Sequence, residues 1–139
     1  MKIDYRIELP EKDKYFILFE STGWNEEYKI DADELLQTLK NSWFIYCAYH
    51  QEKLVGFGRI LSDGFLHAVI FDVIVLPEFQ KLGIGNEIME KLINKCNKNN
   101  IRDIQLFCAD GKQVFYENLG FNVRPESAPG MEIRMRYLK

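Results

Sequence analysis

The sequence lacks the basic excess that marks most nucleic-acid-binding proteins. Its 18 lysines and arginines are outnumbered by 21 aspartates and glutamates, so the formal net charge is −3. Proteins that bind nucleic acids through phosphate contacts usually carry a surplus of Lys and Arg. We therefore expect no nucleic-acid partner.

A long hydrophobic run is also missing. The most apolar segment, residues 65–76, is interrupted by His67 and Asp72, and it is shorter than the roughly 20 apolar residues that a membrane-spanning helix needs. The N-terminal residues MKIDYRIELP do not contain the apolar stretch of a signal peptide. We expect a protein with no membrane partner and a cytoplasmic location.

Cysteines are few and irregularly spaced. Cys47, Cys96 and Cys108 are odd in number and form no CxxC pair, so neither a disulfide framework nor a metal site is indicated. Free cysteine behaves as a small apolar residue. We expect no bound metal and three buried structural thiols.

The rest of the composition is typical of an ordinary globular domain. The chain has 139 residues, of which 47% are apolar and 28% are charged, and both fractions are usual for soluble domains. No repeat, low-complexity tract or Pro-rich linker divides it. Residues 1–139 are therefore expected to form one domain.

Hydrophobic periodicity predicts an α/β (α+β) fold. Alternating or β-rich apolar runs predict strands, and apolar residues at helical spacing predict helices. The predicted strands cover residues 2–9, 43–50, 54–61, 65–76, 101–108 and 132–138, and the predicted helices cover residues 12–21, 31–41, 86–98 and 112–120.

The order of these elements predicts one mixed, twisted sheet of six to seven strands, flanked on both faces by about four helices. The runs 43–50 and 54–61 are separated by a short turn and should form an antiparallel hairpin. The strand 65–76 is apolar on both faces, which is typical of a central strand. Its crossover through the helix 86–98 to the strand 101–108 should be parallel and right-handed.

The stretch QKLGIGN, residues 80–86, places two glycines at the mouth of a predicted helix. Free backbone N–H groups and the positive end of the helix dipole can hold a phosphate there, and glycine lets the backbone approach without a Cβ in the way. Gly83 and Gly85 meet this need, and Gln80 and Lys81 could contact the same anion. A tight strand–helix connection is the alternative interpretation of the same spacing.

Two other phosphate-binding loops are excluded by their spacing. A Walker A loop needs Lys followed by Ser or Thr directly after its last glycine, and Asn86 and Glu87 stand there instead. A dinucleotide-binding fingerprint needs a third glycine where this chain has Ile88.

Two segments resemble the signatures of the GCN5-related N-acetyltransferase (GNAT) superfamily. The segment DVIVLPEFQKLGIGNEIMEKL, residues 72–92, resembles its acetyl-CoA-binding segment, and FYENLGF, residues 115–121, resembles its second signature. Both occur in the family's order, and the predicted elements match its fold over nearly the whole chain. The tail from residue 106 is similar to a subgroup that includes plant serotonin-type acetyltransferases.

The resemblance implies that the chain binds acetyl-CoA. By the family's pattern, the backbone N–H groups of 82–86 hold the pyrophosphate, and the main chain of Val73 and Val75 pairs with the pantetheine arm where parallel strands separate. The residues that the resemblance places at this site are Val73, Ile74, Val75, Gln80, Lys81, Leu82, Gly83, Ile84, Gly85, Asn86 and Tyr116.

The implied reaction is transfer of an acetyl group from acetyl-CoA to a primary amine. An aliphatic amine has a pKa of about 10, so it arrives protonated at neutral pH and must lose a proton, and the leaving thiolate must gain one. Tyr116 stands at the position that serves as general acid in many family members. The alternative is that Tyr116 and Phe115 are an aromatic core pair.

Asp72 is the first candidate for the base. It lies inside an apolar strand, where an unpaired carboxylate is costly, so it has partners, a raised pKa or a polar cleft. The alternative is a structural carboxylate that accepts bonds from a strand bulge or turn. His67, Asp110 and water are the other candidates, and Ala109 and Asp110 stand where some relatives carry Asn.

The acceptor is expected to be a small amine, and the aromatic side chains Tyr15, Phe16, Phe19 and Trp24 could shape its pocket. The alternative is that these aromatic residues belong to the core. A protein or peptide acceptor is the alternative. Two further hypotheses stay open at this point, a non-catalytic module that senses acetyl-CoA and a structural domain without a ligand. A homodimer is also left open.

Overall fold

Five strands and five α-helices follow one another along residues 1–135, the part of the chain that the computed structural model describes. The strands are β1 (Asp4–Arg6), β2 (Phe44–His50), β3 (Lys53–Ser62), β4 (His67–Val75) and β5 (Asp103–Leu106). The helices are α1 (Lys12–Glu20), α2 (Asn25–Tyr28), α3 (Ala32–Lys40), α4 (Ile84–Lys98) and α5 (Gln113–Glu117). A short 3-10 helix, Pro77–Phe79, follows β4.

The elements fall into two units. The first, Met1–Leu106, contains the whole sheet and α1 to α4, and the second begins at Phe107 and contains α5. Each unit is described by itself below. The prediction that residues 1–139 form one domain stays a prediction.

The sheet is mixed, as predicted, and its strands follow the order of the chain, β1-β2-β3-β4-β5. The first three pairings are antiparallel, and they include the predicted hairpin of β2 and β3. The fourth pairing, between β4 and β5, is parallel. The crossover from β4 through α4 to β5 therefore has the predicted direction.

Helices cover both faces of the sheet. Successive strand residues point to opposite faces. On one face, a Cβ added at Gly58 of β3 would lie 2.8 Å from Cγ2 of Ile88 on α4. On the other face, the ring centroid of the neighbouring Phe57 lies 4.6 Å from that of Tyr15 on α1. The sheet is thus a layer between α4 and the pair of α1 and α3.

The two amphipathic helices of this unit form where the sequence predicts them. At the start of α3, Asp31 accepts a hydrogen bond from the backbone of Glu34, whose side chain accepts one from the backbone of Asp31. Such a capping box satisfies two backbone donors that a helix start leaves free. The apolar stripe of α4 is buried, and it consists of Ile84, Ile88, Met89, Leu92 and Cys96.

Several predicted boundaries need correction. Residues 1–135 contain five strands rather than six to seven, and five α-helices rather than four, because α2 was not predicted. The first strand spans Asp4–Arg6 instead of 2–9, since its pairing with β2 ends at Arg6. Residues 132–135 are not in a strand. Their alternating pattern was not sufficient, because a strand also needs a neighbour that pairs with its backbone; the rest of that prediction lies outside the described residues.

The prediction of three buried thiols is wrong for one cysteine. Cys47 and Cys96 are buried, whereas Cys108 is exposed. Cys47 lies on β2 and Cys96 on the apolar stripe of α4. Cys108 follows β5 in the second unit. The apolar character of cysteine was therefore not enough to predict whether this residue is buried or exposed.

The helices of residues 1–135 are too short or too polar to cross a membrane. The longest of them, α4, has 15 residues, whereas a span needs about 20 apolar ones.

Candidate functional site

The second half of β4 has a neighbour on one side only. Parallel pairing with β5 begins at His67 opposite Asp103 and stops at Ile70 opposite Leu106. On the other side, β3 continues to pair with β4 as far as Val75. Within residues 1–135, no strand pairs with residues 72–75 on the β5 side. We call residues 72–75 the open edge.

The backbone groups of Val73 and Val75 face this open edge. Leu76 donates its N–H to the Val55 carbonyl on β3 over 2.9 Å, so Leu76 faces β3. The hydrogen-bonding groups of successive strand residues point to alternate sides. The backbone N–H and C=O groups of Val73 and Val75 therefore point away from β3, and those of the buried Ile74 between them point toward it. Val73 and Val75 are the two residues whose main chain is predicted to pair with the pantetheine arm.

Gln80 holds the end of the open edge to the loop that follows it. Its side-chain amide, Nε2, donates to the Val75 carbonyl over 2.9 Å. The intervening turn is closed by a hydrogen bond of 2.9 Å from the Phe79 N–H to the Leu76 carbonyl. The Val75 carbonyl thus already accepts one hydrogen bond, whereas the Val75 N–H lies on the side of β4 that no strand of residues 1–135 covers. The predicted contact of Gln80 with an anion stays a prediction.

The loop enters α4 through two residues with left-handed backbone. Lys81 has φ 65° and Gly83 has φ 87°. A Cβ at Gly83 would meet nothing within 4 Å, so glycine is favoured there by its backbone angle rather than by lack of space. Gly83 is the N-cap of α4, and no side chain caps it by a hydrogen bond among the described residues.

The start of α4 therefore offers free donors. The first N–H groups of a helix have no acceptor within the helix, and here they belong to Ile84, Gly85 and Asn86. Lys81, Leu82, Gly83 and Asn86 are exposed, so a ligand can reach this end of the helix. Free N–H groups and the helix dipole together favour an anion such as a phosphate.

Close packing fixes the position of this helix start. A Cβ at Gly56 would lie 2.9 Å from Cγ2 of Ile84, and one at Gly58 would lie 3.0 Å from Cδ1 of Leu92. The two glycines let α4 approach β3 closely. We did not predict their role, although glycine inside a strand pattern is a signal of close backbone approach.

Asp72 lies at an irregularity of the β3–β4 ladder and has a left-handed backbone, with φ 57°. Its Oδ2 accepts a hydrogen bond of 2.7 Å from Nε of Arg59 on β3. The side chain is 19% exposed and that of Arg59 is 12% exposed. Asp72 thus has a partner and lies at a bulge, but its donor is the Arg59 side chain rather than the bulge or turn that the structural alternative named. Its role as the base stays a prediction.

Arg59 is the charged residue that the sequence analysis missed. It interrupts the apolar run LVGFGRIL, and a buried charge needs a partner of opposite sign. Asp72 is an acid in the next predicted strand, so the sequence could have indicated it as the partner of Arg59. The pairing of β3 with β4 is what brings the two side chains together.

His67 lies at the opposite end of β4. Its Nδ1 lies 2.9 Å from Oδ1 of Asp103 on β5, and this hydrogen bond raises the pKa of His67 above its ordinary value. His67 is five residues from Asp72, which corresponds to about 17 Å along a strand. The structure therefore does not bring these two candidate bases together.

Tyr116 belongs to the second unit, on α5. Its ring makes edge-to-face contacts with Phe115 and Phe121, with centroids 5.0 Å and 6.0 Å away. Burial, and to a smaller degree Cys108, raises the pKa of Tyr116. The hydroxyl therefore stays protonated at neutral pH, which a proton donor requires. Asp110, the third candidate base, is exposed in the turn before α5.

Two of the four aromatic residues proposed for the acceptor pocket are core residues. Tyr15 is 1% exposed and Phe19 is 4% exposed. Phe16 and Trp24 are half-buried, and the Trp24 ring meets the edge of Phe19 at 6.0 Å. Phe16 and Trp24 are thus the members of this set that remain accessible to an acceptor.

Residues 1–135 contain no cluster of three or more His, Cys, Asp or Glu side chains that could hold a metal ion. The polar groups that converge in the first unit are instead backbone donors and the Arg59–Asp72 pair.

The chain is similar to curated proteins from photosynthetic organisms. An uncharacterized N-acetyltransferase of Pyropia yezoensis is 36% identical over 118 residues, which are 82% of this chain and 66% of the relative. A histone acetyltransferase of Glycine max is 33% identical over 82% of this chain and 53% of its own length. A chloroplastic serotonin N-acetyltransferase of Oryza sativa is 36% identical over 55% of this chain and 38% of its own length. The chain thus spans less than two thirds of these relatives.

Solved structures show the same fold. A GNAT family protein of Streptococcus pneumoniae has a TM-score of 0.79 and 26% identity, over 97% of this chain and 98% of that one. A probable acetyltransferase of Staphylococcus aureus has a TM-score of 0.82 and 21% identity, over 96% of this chain and all of that one. An N-acetyltransferase of Thermoplasma acidophilum, solved with coenzyme A, has a TM-score of 0.71 and 19% identity, over 89% and 92%.

A family model decides the assignment. The model described as the acetyltransferase (GNAT) family matches residues 9–121, which include both signature segments, the open edge and the start of α4. The chain therefore belongs to the GNAT acetyltransferase family.

Proposed function

We propose that this protein is an N-acetyltransferase that uses acetyl-CoA as its co-substrate. The observation that carries the proposal is the meeting of two features in the first unit. The open edge of β4 presents the main chain of Val73 and Val75, and the uncapped start of α4 follows it after a short loop. One feature suits an extended arm with amide groups, and the other suits a pyrophosphate.

The residues present fit two parts of coenzyme A, the pantetheine arm and the pyrophosphate. Val73 can offer both its N–H and its C=O to the amides of the pantetheine arm, and Val75 can offer its N–H, whereas its carbonyl already accepts one hydrogen bond from Gln80. The N–H groups of 82–86 would hold the pyrophosphate. Acetyl-CoA supplies an activated acetyl thioester, and the chain supplies the groups that bind it and move protons.

We assign the proton transfers to Asp72 and Tyr116. Asp72 is half-buried, at the bulge of β4 that begins the open edge, and it would accept the proton of the incoming ammonium. Tyr116 would donate its hydroxyl proton to the departing thiolate. Its raised pKa keeps that proton in place at neutral pH.

A small primary amine is the acceptor that we favour. The similar serotonin N-acetyltransferase of Oryza sativa acts, by its name, on a small aryl-alkylamine. Half-buried Phe16 and Trp24 could contact such a group. A protein lysine is the second candidate, because a similar protein of Glycine max is named a histone acetyltransferase.

The proposal is tested by binding first and by turnover second. A ligand that binds only the folded state stabilises it by about 2.7 kcal/mol at one hundred times its Kd. We expect acetyl-CoA at millimolar concentration to raise the melting temperature by several degrees, and ATP at the same concentration to raise it much less. An unchanged melt with acetyl-CoA would contradict the proposal.

A panel of acceptors then separates the two candidates. We expect release of free coenzyme A with aryl-alkylamines or polyamines and little release with histone-tail peptides. Release with peptides alone would favour the protein acceptor. Binding of acetyl-CoA without turnover on any member of the panel would support the non-catalytic sensor instead.

The cytoplasmic location stays a prediction. Some similar proteins are named as chloroplastic. Microscopy of a fluorescent fusion in the source cells would test the location.

A further inference from the structure

Arg59 connects three elements of the first unit. From β3, its Nε donates to Oδ2 of Asp72 on β4 over 2.7 Å. Its Nη1 lies 3.3 Å from the Thr38 carbonyl on α3 and 3.3 Å from Oγ of Ser42, just after that helix. A single guanidinium thus joins the end of α3 to the acid at the bulge.

The end of α3 is a suitable anchor for a cation. The last carbonyls of a helix have no N–H donor within the helix, and the negative end of its dipole favours a positive charge. Thr38 is in the last turn of α3, and its carbonyl also accepts a bond of 3.2 Å from Oγ of Ser42. The Arg59 side chain is only 12% exposed. These contacts hold the guanidinium in one place.

The carboxylate of Asp72 is left with two unlike oxygens. Oδ2 is bound by Arg59, whereas Oδ1 makes no hydrogen bond with any residue in 1–135. The left-handed backbone of Asp72, with φ 57°, directs the side chain to the α1 and α3 face, where Arg59 lies. One oxygen is thus fixed by the protein, and the other is available.

The hydroxyl of Tyr15 on α1 is the other titratable group near this pair. It is buried and has no hydrogen-bond partner in the described part of the chain. Burial and the charge of Asp72 raise the pKa of Tyr15, while Arg59 lowers it. Tyr15 therefore stays protonated and adds no negative charge that would compete with Asp72 for Arg59.

We propose that Arg59 is a positioning residue for acetyl transfer. It holds Asp72 through Oδ2, so that Oδ1 is the atom that takes the proton of the acceptor amine. This inference rests on the proposed function, in which Asp72 is the base. It adds the atom that accepts the proton and the residue that orients it.

The proton and electron balance needs no further reactant. An N–H bond of the ammonium breaks and an O–H bond forms at Oδ1. The freed electron pair forms the bond from nitrogen to the acetyl carbon, the C–S bond breaks, and its electrons leave on the thiolate. Tyr116 then protonates that sulfur. The nitrogen of the new amide loses its second proton to water as the Tyr116 oxygen regains one, and Asp72 releases its proton to water. Arg59 gives and takes no proton in this sequence.

A double-mutant cycle on turnover tests the inference. We expect Arg59→Met to lower kcat roughly tenfold to hundredfold, because a small misplacement of a reacting group costs about this much. The Kd of acetyl-CoA should be unchanged. Arg59→Lys, which keeps the charge but not the fork of donors, should restore part of kcat. In an Asp72→Asn background, Arg59→Met should lower kcat less than about twofold further, because a positioning residue acts only through its partner.

Thermal melting provides a readout without substrate. Arg59→Met and Asp72→Asn should each lower the melting temperature, and the double variant should recover part of the loss, because each single change leaves one half-buried group without its partner. The matched control is Arg6→Met, since Arg6 forms an ion pair of 2.7 Å with Glu52 at the exposed edge of the same sheet. This variant should leave kcat unchanged.

The outcomes separate the inference from the function on which it rests. If losses of kcat from Arg59→Met and Asp72→Asn multiply, or if Arg59→Met lowers only stability, Arg59 is a structural residue and the inference is wrong. If Asp72→Asn retains normal turnover, the base is elsewhere and both assignments fall. If the parent protein transfers no acetyl group, the proposed function and the inference fall together.

Discussion

The two halves of β4 come from one apolar run and end in different environments. In the first half, Ala68–Ile70 pair with β3 on one side, and His67–Ile70 pair with β5 on the other. In the second half, the open edge, β3 is the strand that pairs, and β5 has already ended. Each half contains an acid–base contact across the sheet, His67 with Asp103 and Asp72 with Arg59. Of these two contacts, the one between Asp72 and Arg59 is half-buried, and it adjoins the backbone groups of the open edge.

The difference shows that the length of the neighbouring strand β5, rather than the local composition of β4, creates the candidate site. β5 has four residues, whereas β4 has nine. The strand that is too short to cover its partner leaves hydrogen-bonding groups unsatisfied, and such an edge can bind an extended ligand. Substitutions in the two halves of β4 and in the start of α4 test this contrast.

Asp72→Asn should have the largest effect. It removes the proton acceptor of the open half, and we expect kcat to fall by about 10²-fold or more at neutral pH. The loss should shrink at high pH, as the amine, with a pKa of about 10, deprotonates in solution. The matched change in the paired half, Asp103→Asn, should leave kcat within twofold. Steady-state kinetics from pH 6 to 10 measure both; equal losses in the two variants would remove the functional contrast.

Tyr116→Phe separates binding at the open edge from the chemistry. If the hydroxyl protonates the thiolate, kcat should fall by about 10²-fold. The Kd of acetyl-CoA, measured by calorimetry, should stay nearly the same, because the edge and the helix start are intact. Normal turnover combined with an early melt would show that Tyr116 is an aromatic core residue.

Gly58→Ala tests whether α4 must lie close to the sheet next to the open edge of β4. The new Cβ would lie 2.8 Å from Ile88 and 3.0 Å from Leu92, and such overpacking typically costs about 1–3 kcal/mol. We expect an early melt together with weaker acetyl-CoA binding, because the helix start is pushed away. Adding Leu92→Val removes one of the two close contacts. It should restore part of the lost melting temperature and part of the lost acetyl-CoA affinity. Unchanged affinity in a destabilised Gly58→Ala protein would show that the helix position matters only for stability.

Gly85→Val should weaken acetyl-CoA binding by about tenfold, or 1.4 kcal/mol. The added side chain lies in the first turn of α4, where the pyrophosphate is expected. Gly85→Ala is the graded control, because its smaller side chain should weaken binding less and alanine favours a helix more than glycine does. Isothermal titration calorimetry on both variants, with melts to verify folding, gives the result. Equal affinity in all three proteins would mean that Gly85 serves only the strand–helix connection.

The smallest effect is expected from the paired half. The pKa of His67 is raised in the folded state by Asp103, so its contribution to stability is full below the unfolded pKa of about 6.5. It is lost as the pH rises through the folded pKa. Both side chains are largely exposed, at 56% and 44%, so the change is small. Melts between pH 5 and 9 should show a slight decline that Asp103→Asn abolishes; a decline of the same size in that variant would contradict the assignment.

Local patterns in the sequence predicted most of the first unit. The capping acids of α3, the apolar stripe of α4 and the hairpin of β2 and β3 each depend on neighbours along the chain. Their predicted positions agree with the structure to within a few residues. The final strand, 132–138, was predicted by the same alternation, and its described part, 132–135, is not in a strand. Alternation indicates which face of a strand would be buried, but it does not indicate whether a neighbouring strand is available to pair with it.

The glycine loop, its position at a helix start and the family signatures could be predicted from the sequence, because they depend on residue type and spacing. The end of β5 at Leu106, the hydrogen bond from Gln80 to the Val75 carbonyl and the contact of Arg59 with Asp72 could not be predicted in this way. Each of these needs two segments to approach with a particular register. Register is set by the packing of the whole sheet between its helices, and no short stretch of the chain contains that information.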